Sequence, residues 1–527
     1  MTRTSIAIIG HMPADKNFLG MSGDSTTDSP LVQSYNYTRV VTPDLYLADH
    51  VAYLKRELEI PKKDTFSVWE MSMCAVLLLA THLRNHGFDV VTANYIDSDN
   101  AVDTFDRLKV FDPDIVVLAT TFILTRKHMA TFAKRVRDEL PDSWIVAGGH
   151  HIHTTLIYMN EEEQKRYLSQ TKVDCFVNDS QGEAALLSIC KEFPKIEKLK
   201  AVPSLVWRDP MGDIHVNQRI PETNDINSTV INLSGIEESS VIHIRTARSC
   251  SFKCAFCSYP TIAGSLALMD LDNVIAMLHQ AQDVGVKAMF FVDDTFNYPD
   301  DRFEQLINRM LDENIHIPWY SFLRCQYVNE RLVEKLAKTG CAGVFLGVES
   351  GSDLILKNMK KGAVTRFYRD GIRWLKQNGI LTVGSFIVGF PGETTETVSL
   401  TKSFIEESEL DYYFIQPFYY LHHTPIHKKA ERFGLKGSGL MWSHDTMNWS
   451  QALGHLGNLF LEIENSTFVN PDYTLWEIAY LRSKGMVDEE ILAYRKKINR
   501  MTAKQMKDFG VSNADSTSRE FSTADIQ

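Results

Sequence analysis

Two apolar rhythms alternate along this chain. Short runs rich in Val, Ile and Phe are separated by stretches whose apolar positions recur every three or four residues, the signature of strands followed by amphipathic helices. Ile6-Ala-Ile-Ile-Gly10 reads as a buried strand ending in a glycine turn. Residues 14 to 65 are polar and irregular and predict no element. Phe66 to His86 has helical spacing, with Gly87 placed to close the helix. Strands follow at Asp89-Val-Val-Thr-Ala, Ile115-Val-Val-Leu-Ala-Thr, Trp144-Ile-Val-Ala-Gly-Gly149 and Asp174-Cys-Phe-Val-Asn, with a helix over Met129 to Leu140. This alternation predicts βαβ units and a parallel sheet.

Residues 196–240 read as a connector with a hairpin at Pro210-Met-Gly-Asp213. From Val241 the alternation restarts. Strands are predicted at Val241 to Thr246, Lys287 to Val292, Trp319 to Leu323, Gly343 to Val348, Thr382 to Val388 and Tyr412 to Phe418. The clearest helix between them is Arg302 to Asn314, with Phe303, Leu306, Ile307, Met310 and Leu311 on one face. Consecutive βα units of this kind suit a curved, partial barrel whose ligands gather at the carboxyl ends of the strands. Past 426 the spacing turns helical, with Trp442, Trp449 and Trp476; after Gly510 it vanishes, as in a disordered tail. The expected class is α/β. A Rossmann-like domain covers 1–195, the connector 196–240, a partial (β/α)6 barrel 241–430, a mostly helical region 431–510 and a tail 511–527.

The net charge of −12 argues against a nucleic-acid or anionic-membrane partner. The apolar run Ala75 to Ala80 is far too short to cross a bilayer, and Met1-Thr-Arg-Thr leads straight into a strand pattern, so a cytoplasmic location is expected. Eight cysteines in such a setting do not suggest disulfides. Cys74, Cys175, Cys190, Cys325 and Cys341 are scattered and read as buried packing. The other three are not scattered. Val241-Ile-His-Ile-Arg-Thr-Ala-Arg-Ser-Cys250-Ser-Phe-Lys-Cys254-Ala-Phe-Cys257 gathers them in a loop just after a strand. Thiolates hold iron–sulfur clusters, and three of them on a cubane leave one iron open. Zinc would want a fourth ligand, for which His243 and Tyr259 are poor candidates.

The Cys-x3-Cys-x2-Cys spacing, with an aromatic before the third cysteine, resembles the radical S-adenosyl-L-methionine (SAM) superfamily. The resemblance implies a [4Fe-4S] cluster on Cys250, Cys254 and Cys257. Its open iron would bind the amino and carboxylate groups of SAM, and one electron would release a 5′-deoxyadenosyl radical. Other segments resemble the same superfamily. Phe290-Phe-Val-Asp-Asp294 places Asp293 and Asp294 where related enzymes contact the SAM amino group, which needs acceptors. Gly347-Val-Glu349-Ser-Gly-Ser offers a carboxylate to the ribose, and Gly384-Ser-Phe-Ile-Val-Gly389-Phe-Pro-Gly-Glu393 resembles the segment beside the adenine.

The amino-terminal region resembles the cobalamin-binding domain of that superfamily. Thr121-Phe-Ile-Leu-Thr125 matches the loop lining the nucleotide-tail tunnel, with Thr121 and Thr125 as its hydroxyls. Gly148-Gly149 matches the glycine pair beside that tail, and Asp179-Ser-Gln-Gly-Glu183 a later segment. The Asp-x-His-x-x-Gly motif that supplies a lower cobalt ligand elsewhere is absent. His11 lacks its spacing, and His11, His150, His151 and His153 read as structural or loop residues. With both cofactors, resemblance implies a methyltransferase that carries a methyl group from SAM by way of cobalamin to an unactivated carbon or a phosphinate phosphorus of a small molecule. It would draw electrons from an external one-electron donor of flavodoxin or ferredoxin type. Leu421-His-His-Thr-Pro-Ile-His427 and Gly439-Leu-Met-Trp-Ser-His444-Asp-Thr-Met-Asn-Trp449 resemble the phosphinate P-methyltransferases, although Trp442 and Trp449 also suit a core; Tyr419 and Tyr420 could face a substrate. The same motifs allow a cobalamin-dependent cyclase or rearrangement enzyme. A tRNA methylthiotransferase would need a second cluster, for which the amino-terminal region has only the widely spaced Cys74, Cys175 and Cys190, and a basic tail domain, which is not seen; a cobalamin or redox sensor would need an output module, which the sequence does not show.

Overall fold

The first apolar run forms the strand Ser5–Ile9, which lies second in a seven-stranded sheet. In spatial order the strands are Asp89–Ala93, Ser5–Ile9, Ile115–Ala119, Trp144–Gly148, Cys175–Val177, Leu205–Arg208 and Ile214–Val216. The first five are parallel and the last two antiparallel. Ile115–Ala119 is buried along its whole length, as a strand covered on both faces must be. Ala7, Ile9, Val116 and Leu118 pack on one side against Phe105 and Phe132. Ile6, Ile8, Ile115 and Val117 pack on the other against Leu83 and Ile189. Strand order reverses between Ser5–Ile9 and Ile115–Ala119, so the loops after these strands flank the crevice where doubly wound sheets take ligands. The hairpin at 210–213 is present, and its two strands extend this sheet.

The computed structural model describes residues 4–12, 40–41, 47–48, 50–61, 64, 66–97, 100–123, 125–236, 241–469 and 474–508. The tail after Gly510, Leu124 and most of 14–65 lie outside the described residues.

The second sheet holds six parallel strands, Val241–Ile244, Ala288–Phe291, Trp319–Leu323, Cys341–Glu349, Leu381–Val388 and Tyr412–Pro417. A short seventh, Thr467–Phe468, pairs with Tyr412 and Tyr413. Residues alternate between two cores. Ile242, Met289, Trp319, Val344 and Phe386 meet the surrounding helices, while Val241, Ala288, Phe290, Tyr320, Val383 and Phe414 share a core with the helix Thr474–Ser483. Leu475, Ile478 and Ala479 of that helix fill the amino end of the curved sheet.

Two stretches differ from the helical pattern. Phe66 to His86 is not one helix. Ser67 and Glu70 form a reciprocal cap on the single turn Val68–Glu70, and the helix proper is Cys74–Asn85. The backbone between is taken up elsewhere: Ser72 N donates to Val241 O (2.9 Å) and His243 N to Ser72 O (2.9 Å), covering the free edge of the first barrel strand. Asn94, just past the strand Asp89–Ala93, fixes this segment. Its amide donates to Trp69 O and Met71 O at 2.6 Å each, and its oxygen accepts from Met73 N at 2.8 Å. Likewise, residues 436–448 form a small antiparallel sheet, Lys436–Ser438, Met441–His444 and Met447–Asn448, before the helices Trp449–Glu462, Thr474–Ser483 and Asp488–Asp508. Gly437 (φ +87°) and Gly439 (φ +60°) supply left-handed backbone there. Among the described residues, no helix is long and apolar enough to cross a membrane.

Replacing Asn94 with Ala removes three bonds to partly buried backbone groups. The expected loss is about 2–4 kcal/mol of stability, read as a lower urea midpoint with an unchanged slope.

Candidate functional site

The loop after Val241–Ile244 carries the three clustered cysteines, and its backbone is anchored at both sides. Ala255 N donates to Met359 O at 2.7 Å, Ile426 N to Ala255 O at 2.9 Å, and Ser249 Oγ to Gly264 O at 2.6 Å. Ser249 holds a left-handed φ of +71°, an expensive conformation for a residue with a Cβ and one that marks functional turns. Cys250, Cys254 and Cys257 are all free thiols. Cys250 Sγ lies 3.6 Å from Thr295 Oγ1, and Arg324 Nη2 donates to Cys254 Sγ at 3.0 Å. Burial, then the neighbouring Cys254, Asp294 and Cys250, pushes the Cys257 thiol up to about 11.

Among the described residues, no three His, Cys, Asp or Glu side chains converge on a point that would hold a single metal ion. A lone zinc needs its sulfurs about 2.3 Å from one centre. A cubane instead takes each thiolate on a different iron, and three cysteines free of disulfides on one anchored loop, one of them facing a cation, suit that donor set.

The other residues singled out from the sequence gather at the same rim but differ in availability. Asp293 is buried, and its oxygens accept from Thr246 N (2.7 Å), Ala247 N (3.0 Å) and Thr246 Oγ1 (2.6 Å). It latches the second strand to the root of the cysteine loop. Asp294 is exposed, and among the described residues its carboxylate bonds only its own backbone N–H. Burial of its surroundings and the adjacent Asp293 push it up to about 7. Of the two, Asp294 is the free acceptor. Glu349 sits at a register shift ending the fourth strand, with φ +70°, and its Oε1 takes Lys361 Nζ at 2.8 Å; both side chains are buried. Gly389 (φ +91°) has a different explanation from an open nucleoside pocket: a Cβ there would lie 2.4 Å from the Trp442 ring. Glu393, also buried, accepts from Gly389 N at 2.5 Å, while its Oε1 finds no partner.

At the first sheet, Thr121 is exposed on the loop at the switch point. Thr125 caps the helix Arg126–Glu139 by accepting from His128 N at 3.2 Å. Gly149 stands at φ +106° and ψ −164°, open to glycine almost alone, whereas a Cβ on Gly148 would meet Val177 at 3.3 Å. His11 is buried against Trp69, ring centroids 4.0 Å apart, and burial lowers it to about 3. His151 bonds Tyr167 Oη (3.0 Å) and His153 bonds Asn178 Oδ1 (3.2 Å). This edge faces the barrel rim. Glu183 meets Arg245 at 3.5 Å, Tyr158 stacks on His423 at 4.6 Å, and Phe122 touches Trp476 at 5.7 Å. Trp476 continues to His243 (5.5 Å) and Phe290 (5.7 Å) inside the barrel.

Arg324 and Lys361 were missed from sequence alone. The available signal was a cation placed immediately after the third barrel strand. In the carboxy-terminal motif, Trp442 is core, donating to Phe418 O at 2.7 Å, and His444 is buried beneath it, bonded to Gly389 O at 3.2 Å. Tyr420 is also buried, its hydroxyl 2.6 Å from His427 Nδ1, while Tyr419 stays half-exposed.

Burial raises Glu393 from 4.5 to about 7, so the folded protein holds its proton where the unfolded chain has lost it. This group's contribution to stability is complete below about pH 4.5 and falls as pH rises towards 7. Glu393→Gln should flatten that decline, measured as urea midpoints at pH 5 and pH 7.5.

Residues 244–405 match the profile of the Radical SAM superfamily. An uncharacterised methyltransferase of Pyrococcus horikoshii is 27% identical over 58% of this chain and 66% of its own length, so the chain spans just under two-thirds of that relative. The radical S-adenosylmethionine methyltransferase TsrM from Kitasatospora setae, solved with cobalamin and a [4Fe-4S] cluster, superposes with a TM-score of 0.60 at 16% identity, covering 82% of this chain and 96% of that one. The cobalamin-dependent S-adenosylmethionine radical enzyme OxsB, solved with aqua-cobalamin, gives 0.58 at 14% identity, covering 96% and 76%. The stretch from the first barrel strand into the helix after the fifth thus carries the radical SAM pattern, and the architecture around it is one shared with TsrM and OxsB.

Proposed function

We propose that this protein is a cobalamin-dependent radical SAM methyltransferase acting on an unactivated carbon or a phosphinate phosphorus of a small molecule. One observation carries the reading. Three free thiols sit on an anchored loop at the carboxyl rim of six parallel strands, and the residue Arg245 at the root of that loop meets Glu183 of the doubly wound domain. When bound, the cluster and SAM supply a hydrogen-abstracting radical and cobalamin supplies a methyl carrier.

The chain's own groups provide orientation and exclusion. Cys250, Cys254 and Cys257 would ligate the cluster. Asp294, exposed at the rim, offers an acceptor to the SAM ammonium. Glu349, its charge balanced by Lys361, keeps a second oxygen for the ribose hydroxyls. Thr121 and Gly149 at the first sheet's edge would meet the cobalamin tail. Phe322, Phe345 and Trp476, half-buried around the barrel interior, form an apolar wall that keeps water from a reactive centre. The methyltransferase name of the Pyrococcus relative supports methyl transfer, and the cobalamin held by TsrM and OxsB supports that cofactor. For a phosphinate acceptor the candidate contacts narrow to His422, His423 and His427, because His444 is enclosed. The one-electron donor would be an external flavodoxin or ferredoxin.

Anaerobic protein reconstituted with iron, sulfide and hydroxocobalamin tests this. Methyl-labelled SAM and small phosphinates should yield labelled product together with 5′-deoxyadenosine and S-adenosylhomocysteine. Deoxyadenosine without homocysteine defeats methyl transfer, and protein that takes up no cobalamin defeats the amino-terminal assignment. Alanine at any one of the three cysteines should reduce SAM cleavage to the protein-free background.

A further inference from the structure

Arg324 is the side chain best placed to act on the cysteine loop from outside it. The residue is buried and immediately follows the third barrel strand. Its guanidinium is used as a fork: Nη2 donates to Cys254 Sγ at 3.0 Å and Nη1 to Lys361 O at 2.8 Å. The flat face lies 3.6 Å from the centre of the Phe252 ring, which belongs to the same loop, between Cys250 and Cys254. Its backbone is clamped too. Arg324 N donates to Asn297 Oδ1 at 2.9 Å, and Asn297 Nδ2 returns a bond to Arg324 O at 2.8 Å, with Asn297 fully buried. Together these contacts hold the side chain so that one charged donor faces one sulfur.

A guanidinium stays protonated at any working pH, and a neutral core residue in its place would be far cheaper to bury. We propose that Arg324 is a positioning residue that fixes Cys254 and sets the reduction potential of the cluster held there. The inference rests on the cluster assignment above. Hydrogen bonds to ligand sulfurs and nearby positive charge favour the more negatively charged, reduced state, and a buried charge is weakly screened. The electron itself comes from the external donor. Lys361, whose carbonyl takes the other tine of the fork, pairs with Glu349. One short segment therefore joins the sulfur side of the site to its carboxylate side.

Potentiometric EPR on reconstituted wild type, Arg324→Gln and Arg324→Lys tests the proposal without reference to turnover. Arg324→Gln should still assemble a cubane, with a reduced-to-oxidised ratio about tenfold lower at a fixed potential, a downward shift of ~59 mV for a one-electron couple. Arg324→Lys, which keeps the charge and loses the fork, should fall between the two. A role in packing alone would lower the loaded fraction and leave the midpoint of the loaded protein unchanged, which overturns the proposal while the cluster assignment stands. If the Gln variant takes up no cluster, the Lys variant decides: a lowered midpoint supports the role and a wild-type midpoint overturns it. Wild type that forms no cubane overturns both the proposal and the assignment beneath it.

Discussion

When strands in a curved sheet all run the same way, each delivers the residue beyond its last ladder bond to one rim. The candidate site of this protein depends on that constraint. Arg245, Asp294, Arg324 and Glu349 come from four different strands and reach a common edge with the cysteine loop. A single antiparallel strand would have sent its terminal residue to the opposite end. The first sheet obeys the same logic, its parallel strands delivering Thr121 and the Gly148–Gly149 turn to one edge. Contacts from Glu183 to Arg245 and from Tyr158 to His423 then set the two edges against each other.

The rim is electrostatically costly. Glu349 and Lys361 are both withdrawn from water, Glu349 in addition with a left-handed backbone, and Arg324 is buried beside a thiol. Such pairs seldom add net stability over apolar residues of equal volume, because desolvation consumes the Coulombic gain. What they add is a fixed geometry along the rim. Asp293 shows the complementary case: a carboxylate whose acceptor capacity is used within the protein to hold the loop, leaving its neighbour Asp294 to face outward.

The strands were legible because their apolar period is local, and the cysteine loop because its thiol spacing is compact. Features that depend on distant partners were not. Residues 71–73 have apolar helical spacing, yet Val241 and His243 claim the backbone of Ser72 from far along the chain, and Asn94 that of Met71 and Met73. Trp442 and His444 read as a binding motif and prove to be a stacked pair beneath Gly389, since sequence cannot show which face of a short antiparallel strand is covered. Thr125 has the residue type of a ligand-lining hydroxyl and does the work of a helix cap. Arg324 left almost no signal: a single cation after a strand is common, and its meaning comes only from the sulfur 3.0 Å away.

The turn at 67–70 is completed by residues from the far end of the chain. Tyr480 Oη accepts from Ser67 N and donates to Glu70, each at 2.8 Å, and Lys484 pairs with the same glutamate at 2.6 Å. During synthesis this segment leaves the ribosome long before Tyr480 and Lys484 exist, and the edge strand it will cover is itself made much later. The backbone of Ser72 must therefore wait for Val241 and His243, and the turn beside it for its outer brace until the last helices emerge, a long-range closure of the kind that slows folding.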